Sequence, residues 1–280
     1  MAVRPRQRGN DAVGDQFIHV HLGRRRAGHP PERPMTALEL LDRAVGLGVR
    51  LVQIADNLSL DRLSPAELDA LERHASALKI GIEVGTRGIQ TDHLCACLRL
   101  AERLNSPILR VVTDTATHHP AEDAIVSTVK AIVPALERAG IYLAIENHDR
   151  FKAKTLVRIL KRISSQHVGI CLDTVNSFGA LEGPEVVVEA LGPWAVNLHV
   201  KDFAISRVSH MMGFAVEGRP AGQGQLDIPW LIGELRARGR DPNAILELWT
   251  PPEATMVETI TKERAWAAAS VAYLRQLIPH

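Results

Sequence analysis

Residues 141–148 read IYLAIENH, a pattern that decides the fold because it recurs along the chain. Residues 141–145 are mostly apolar and too few for a helix, which is typical of a buried strand. Glu146, Asn147 and His148 follow without a break. Leaving a buried polar group unpaired costs about 2–7 kcal/mol, and an ionised carboxylate costs more. Glu146 must therefore meet a basic partner, the surface or a metal ion.

Seven further apolar runs have the same character, and successive runs start 27 to 49 residues apart. They span residues 17–22, 51–56, 80–85, 108–113, 168–173, 195–200 and 244–249. Helical segments separate them, two of which begin with capping boxes at Thr36 and Ser64. Eight strands that alternate with helices predict an α/β fold, a (β/α)₈ TIM barrel. A doubly wound sheet is the alternative, but it usually carries a GxGxxG loop, and the sequence has none.

Composition bounds the class of protein. The chain has 280 residues, 46% hydrophobic and 23% charged, with net charge +1. We expect a disordered tail over residues 1–16 and one catalytic TIM-barrel domain over residues 17–280. The near-neutral charge argues against a nucleic-acid partner, and no apolar run is long enough for a membrane span. The N-terminal residues lack the apolar segment of a signal peptide, and three cysteines suit a reducing compartment, so we expect a cytoplasmic protein.

The connection between the seventh and eighth predicted strands, residues 202–226, is unusually long. Connections of this length are commonly functional or disordered. Phe203, Met211, Met212 and Phe214 make this one too apolar for a solvated linker. It is predicted to be a lid or a wall of a pocket.

The last four predicted strands end in polar residues, namely Glu146, Asp173, His199 and Glu247. Active sites of such barrels lie at these strand ends, and neighbouring strands are about 4.7–4.9 Å apart, so the four side chains can converge. Three carboxylates and an imidazole repel one another unless a cation lies among them. The ligand set suits one divalent metal ion, Mn²⁺, Mg²⁺, Co²⁺ or Zn²⁺. The alternative is that each acid pairs separately with an arginine or lysine.

The segments AIENHDR, GICLDTVNS, NLHVKDF and ILELWT resemble the motifs of the xylose isomerase-like TIM-barrel superfamily, which holds sugar isomerases and epimerases and the AP endonuclease family 2. The resemblance implies that Glu146, Asp173, His199 and Glu247 hold the metal, and that Glu146 and Glu247 are the catalytic acid–base pair. It also implies a small carbohydrate substrate, a keto-sugar, polyol-derived ketone or sugar acid, converted through a metal-stabilised enediolate. Isomerisation or epimerisation is the first expectation.

One position departs from the pattern of the epimerases. They commonly carry a histidine three residues after the aspartate ligand, where it contacts the substrate, and this chain has Asn176. Asparagine can hydrogen-bond a hydroxyl but cannot transfer a proton at neutral pH. Endonuclease IV uses the same position and an Asp-x-His pair that is missing here, so DNA repair is a weak alternative. His148 is another expected substrate contact.

The long connection suggests a second reaction. Lys201, Arg207, His210 and Arg219 are expected to bind a substrate carboxylate or phosphate. The segment from Arg207 to Asp227 is similar to 3-oxo-isoapionate decarboxylases of this superfamily, which implies decarboxylation of a 3-oxo sugar acid. Alternatively, Lys201 and Asp202 form a simple ion pair at the strand end.

The sequence supports four weaker expectations. Arg110, inside the fourth predicted strand, needs a buried partner such as Glu83. Arg24–Arg26 either contact an anion or form a solvated loop. A catalytically silent carbohydrate-binding barrel is a third functional hypothesis. Barrels of this kind often dimerise, so a homodimer is an open alternative to a monomer.

Overall fold

The structure is a computed structural model that describes the backbone of Phe17–His19 and residues 35–278. The predicted tail over residues 1–16 and the cluster Arg24–Arg26 lie outside the described residues.

Eight parallel strands form one sheet, which confirms the predicted (β/α)₈ barrel. They are β1 (Phe17–His19), β2 (Leu51–Ile54), β3 (Gly81–Arg87), β4 (Ile108–Val112), β5 (Tyr142–Glu146), β6 (Val168–Asp173), β7 (Ala195–Val200) and β10 (Ala244–Glu247). Their order in the sheet is β1-β10-β7-β6-β5-β4-β3-β2. β1 also lies next to β2, which brings the two ends of the sheet together.

Eight helices surround the sheet in the described residues. They are α1 (Ala37–Gly46), α2 (Pro65–Leu78), α3 (Thr91–Arg103), α4 (Glu122–Ala139), α5 (Ala153–Ile163), α6 (Pro184–Leu191), α7 (Ile228–Ala237) and α8 (Met256–Leu274). The predicted capping boxes at Thr36 and Ser64 are confirmed, because each hydroxyl accepts a backbone N–H and a glutamate returns the bond. None of the described helices is both long and apolar enough to cross a membrane.

The long connection contains an antiparallel hairpin of β8 (Asp202–Arg207) and β9 (Phe214–Arg219). Asp202 anchors its base: the buried carboxylate accepts the backbone N–H groups of Phe203, Gly222, Gly224 and Leu226 at 2.8–3.1 Å. The predicted ion pair between Lys201 and Asp202 is therefore wrong. Four backbone donors satisfy this carboxylate, and Lys201 contacts other acids.

The core lies between the sheet and the helices, where the apolar side chains of both form one buried cluster. Inside the barrel the lining is mixed. Ala144, Cys171, Asn197 and Ile245, which the alternation of side chains predicts to face inward, are all fully buried. The polar strand ends follow these residues, toward the carboxyl end of the barrel.

Candidate metal centre

The four predicted ligands lie together at the carboxyl ends of their strands. Glu146, Asp173 and Glu247 are the last residues of β5, β6 and β10, and His199 is the penultimate residue of β7. Asp173 is directly opposite His199 in the parallel register. Asp173 and His199 are fully buried, and the Glu247 side chain is 16% exposed.

His199 is the centre of the group. Its Nδ1 atom lies 2.8 Å from Oε2 of Glu247, 3.5 Å from Oε2 of Glu146 and 3.9 Å from Oδ2 of Asp173. One ligand atom each from Asp173, His199 and Glu247 fits within 4.8 Å of the others. Glu146 groups with His199 and Cys171 by the same measure. The sequence thus brings all four predicted residues to one place, in two overlapping triads.

Two of these atoms fit a cation. Oδ2 of Asp173 and Nδ1 of His199 are buried and make no aligned hydrogen bond, although Lys201 and Glu247, respectively, lie 2.8 Å from them. Such atoms are rare in folded proteins and call for an explanation. Carboxylate oxygens and an imidazole nitrogen are ligands that Mn²⁺, Co²⁺ and Zn²⁺ accept. A divalent ion among them satisfies both atoms, so the residues present fit the predicted metal.

Glu146 also has a basic partner. Its Oε2 atom accepts a hydrogen bond from Nε of Arg110, and its Oε1 atom accepts one from Nδ2 of Asn176 at 2.7 Å. Burial alone would raise the pKa of Glu146, but Arg110, and then His199 and Lys201, lower it. The predicted pairing of Arg110 with Glu83 is wrong, because Arg110 is oriented toward Glu146 and, at 3.6 Å, Asp56.

Lys201 is the second cation of the site. Its Nζ atom lies 2.8 Å from Oδ2 of Asp173, 3.1 Å from Oε1 of Glu247 and 3.1 Å from Oδ1 of Asn176. Burial would lower the pKa of Lys201, but Asp173, Glu247 and Glu146 raise it above its ordinary value. Lys201 is therefore held protonated. Basic side chains do pair with the acids, as the alternative interpretation expects.

The charges do not balance without a further cation. Among the described residues, the basic side chains that pair with Glu146, Asp173 and the partly exposed Glu247 are Arg110 and Lys201, which leaves one negative charge. Burial and the neighbouring carboxylates raise the pKa of Asp173, although Lys201 opposes this. A divalent ion would change the surplus to one positive charge. The loaded site would therefore attract an anionic substrate.

Cys171 lies beside the site but behaves as a thiol. Its Sγ atom donates to Oδ1 of Asn197 at 3.3 Å. Burial, and then the charge of Glu146, raises its pKa well above the ordinary value. Because the thiolate is the form that binds metals, Cys171 is a poor candidate ligand.

Two cavities flank the centre. The first, about 270 Å³, is lined by Glu247, Lys201 and Asn176, with Trp249 and Val216 among its apolar walls. Val216 belongs to the hairpin, which therefore forms part of a pocket wall, as expected of residues 202–226. The second, about 400 Å³, is lined by Glu146, His148 and Arg87 among others.

Three predicted substrate contacts do not reach these two cavities in the described structure. Arg207 donates to the carbonyl of Met211 and stacks on Phe214. His210 is exposed near the hairpin turn, and Arg219 bonds to Glu217 and to a backbone carbonyl. His148, Asn176 and Lys201, in contrast, line the cavities.

Sequence reasoning missed Gln53 of β2. Its Oε1 atom lies 2.8 Å from Nε2 of His199. The available signal was an amide at an inward position of an otherwise apolar strand.

Comparison with known proteins gives consistent results. The model of the xylose isomerase-like TIM barrel family matches residues 41–277. The chain is 35% identical to 3-oxo-isoapionate decarboxylase of Pectobacterium atrosepticum over 255 residues, 91% of this chain and 93% of that protein. A D-psicose 3-epimerase crystallised with D-fructose has a similar fold, with a TM-score of 0.69, 16% identity, and coverage of 88% and 95%. So does a xylose isomerase-like TIM barrel protein of Mycobacterium smegmatis in complex with magnesium, with a TM-score of 0.67, 13% identity, and coverage of 92% and 97%.

Proposed function

The chain belongs to the xylose isomerase-like TIM barrel family, and on this premise we propose that it is a divalent-metal-dependent decarboxylase of a 3-oxo sugar acid. The relative from Pectobacterium atrosepticum aligns over nearly the whole of both chains, and 3-oxo-isoapionate is therefore the first substrate to test. Asp173, His199 and Glu247, with Glu146, would hold the ion. When bound, a divalent ion polarises a substrate carbonyl and stabilises the negative charge that develops on its oxygen.

The hydrogen bonds and the lowered pKa of Glu146 favour decarboxylation over epimerisation. Both of its carboxylate oxygens are engaged, by Arg110 and Asn176, and its pKa is lowered. A carboxylate in this state is a poor proton acceptor. Epimerisation needs bases on two faces of the substrate, whereas decarboxylation removes no proton from carbon and needs one proton donor.

Lys201 is the protonated group of the first cavity and is the candidate donor, because a divalent ion on Asp173 and Glu247 would offset the carboxylate charges that raise its pKa. Its ammonium lies beside Glu247 and Asn176 on the cavity wall, where a substrate carboxylate or enolate oxygen would meet a positive charge. As the bond to the carboxylate carbon breaks, the electron pair remains on the substrate and carbon dioxide leaves. Lys201 then donates a proton to the substrate carbon that has lost the carboxylate, and regains one from solvent.

The apolar part of the cavity suits the leaving group. Trp249 and Val216 face the same space as Lys201. They offer no hydrogen bond to a carboxylate from within the cavity, while neutral carbon dioxide tolerates apolar surroundings. Loss of the carboxylate charge in this environment favours the forward reaction.

Isomerisation or epimerisation, the first expectation from the sequence, remains the second candidate. It is supported by the placement of His199 Nδ1 between Oε2 of Glu146 and Oε2 of Glu247, because these two acids would then flank a bound sugar. In that reaction the two glutamates would be the acid–base pair.

One experiment separates the candidates. The Mn²⁺-loaded protein is incubated in deuterium oxide with 3-oxo-isoapionate and, separately, with neutral ketoses, and products are followed by NMR. Metal-dependent release of carbon dioxide with one deuterium in the product supports decarboxylation. Deuterium exchange into a ketose without carbon loss supports epimerisation instead, and Glu146→Gln should then abolish it. Neither reaction, with the sugar bound, would favour the silent binding barrel.

A further inference from the structure

A second buried carboxylate, Glu83, lies inside the barrel below the candidate metal centre. It is fully buried in β3. Its Oε2 atom accepts hydrogen bonds from Nε2 of Gln53 at 3.0 Å and Nδ2 of Asn197 at 2.9 Å, and its Oε1 atom accepts one from Nδ2 of Asn243 at 2.8 Å. Three side-chain amides from different parts of the barrel thus converge on one acid that the proposed reaction does not use.

Glu83 fixes the orientation of the Gln53 amide. Both oxygens of Glu83 accept hydrogen bonds from side-chain amides, so the NH₂ group of Gln53 faces Glu83 and its carbonyl oxygen faces the other way. That oxygen, Oε1, lies 2.8 Å from Nε2 of His199. An amide oxygen cannot donate, so Nε2 of His199 must carry the hydrogen.

This hydrogen position determines what the other ring nitrogen of His199, Nδ1, can bind. With the hydrogen on Nε2, Nδ1 of the neutral ring keeps its lone pair. Nδ1 is the atom that faces Glu146, Asp173 and Glu247, and it is the atom without an aligned hydrogen-bond partner. The ring is thus held in the form that can donate electrons to a cation at this place.

We propose that Gln53 and Glu83 are positioning residues, which hold His199 in the tautomer and ring orientation that the divalent cation requires. This relay, defined as Glu83–Gln53–His199, rests on the metal centre of the proposed function and predicts that affinity for the ion depends on residues of β2 and β3. Partners of this kind typically contribute roughly 10- to 100-fold to metal affinity.

A purely structural role for Glu83 makes a different prediction, and Asn243 separates the two. Asn243 donates to Glu83 as Gln53 does, but its hydrogen bond is to the opposite oxygen, Oε1. If the buried amides only stabilise the fold, loss of either donor should have the same effect on the protein. If the relay operates, only loss of Gln53 should weaken metal binding.

The test compares dissociation constants for Co²⁺ and Mn²⁺, measured by calorimetry on metal-free protein whose folding is checked by thermal melting. Gln53→Met should weaken binding roughly 10- to 100-fold, and Asn243→Ala should bind as wild type. The exchange variant carries both Gln53→Glu and Glu83→Gln, and it keeps a hydrogen-bond acceptor facing Nε2 of His199. It should bind the metal ion as tightly as wild type or more tightly. This variant tests the relay even if Gln53→Met does not fold.

Equal affinities in wild type and Gln53→Met would overturn the relay and leave the metal centre standing. An equal loss in Gln53→Met and Asn243→Ala, or a tenfold loss in the exchange variant, would also overturn it. A wild-type protein that binds neither ion would refute the metal centre itself, and the relay with it.

Discussion

The Nζ atom of Lys201 lies 2.8 Å from Oδ2 of Asp173, a buried carboxylate oxygen of the candidate metal centre. The same ammonium lies 3.1 Å from Glu247 and lines the first cavity. Lys201 therefore stands between the candidate metal ligands and the space for a substrate. This position links the charge of the site to its proposed chemistry.

Replacement of Lys201 by Met should separate metal binding from turnover. Removal of the cation leaves the three carboxylates more attractive to a divalent ion, so the metal should bind as tightly as in wild type or more so. Loss of the proton donor should lower kcat for the 3-oxo acid roughly 10²- to 10⁴-fold. Arg219→Met is the matched control, because this hairpin cation bonds within the hairpin and should leave kcat nearly unchanged. Equal effects of the two substitutions on kcat would contradict the assignment.

Arg110 should contribute more to the stability of the metal-free protein than to that of the metal-bound protein. Arg110→Met leaves Glu146 buried without its partner, which should lower the free energy of unfolding by about 3–5 kcal/mol in urea titrations. Saturating Mn²⁺ should recover part of this loss, because the ion neutralises the same carboxylate. Arg103→Met is the control: Arg103 is partly exposed and pairs with Asp69 and Glu72, so its loss should lower the free energy of unfolding much less. A loss in Arg110→Met no larger than the control's would be inconsistent with this role.

Asp202 should control the order of the hairpin base. Asp202→Asn removes the charge and turns an NH₂ group toward backbone donors, which should cost about 3 kcal/mol. Limited proteolysis should then cut within residues 202–226 faster than in wild type. Asp227→Ala, which removes the N-cap of α7, should cost about 1 kcal/mol without faster cleavage of the hairpin. Unchanged cleavage in Asp202→Asn would rule out the anchor.

Stability at acid pH should depend on Asp114. Partial burial raises its pKa, but hydrogen bonds from Arg150, His119 and Thr113 more than offset this and hold the pKa at about 2, below the ordinary 3.8. The ionised form therefore stabilises the fold above about pH 4, and this contribution disappears as the pH falls through 2. Asp114→Asn should lose about 1 kcal/mol at pH 7, since the pair with Arg150 is partly solvated. The difference from wild type, followed by urea unfolding, should shrink below pH 4, and a difference that grows with acidity would contradict the sign.

The fold could be predicted from the sequence because its signals are local. Each barrel strand is a short apolar run, and the capping boxes at Thr36 and Ser64 depend on residues three positions apart. The hairpin of residues 202–219 was less accessible. Its strands are short and partly exposed, and the carboxylate of Asp202 that anchors it bonds to backbone groups about twenty residues away.

The site could be predicted in part. Strand ends are enough to place Glu146, Asp173, His199 and Glu247 together, because the barrel fixes where parallel strands finish. The pairing of the charges could not be predicted, since it depends on the strand register and on side-chain direction. Arg110 lies opposite Gly85 and Ala144, and it pairs with Glu146 rather than with Glu83. Long side chains from a loop cannot be placed by pattern either, and Arg207, His210 and Arg219 bond within or beside the hairpin.

The proposed function depends on one divalent ion held by Glu146, Asp173, His199 and Glu247. The most direct test is elemental analysis of the protein purified without chelator and dialysed against Mn²⁺, beside Asp173→Ala and the control Asp149→Ala, which removes an acid of the cavity wall. We expect about one ion per chain in wild type and in the control, and a loss of that ion in Asp173→Ala. Wild-type protein without metal after this treatment would contradict it, and the acids would then be a network of ion pairs with Arg110 and Lys201.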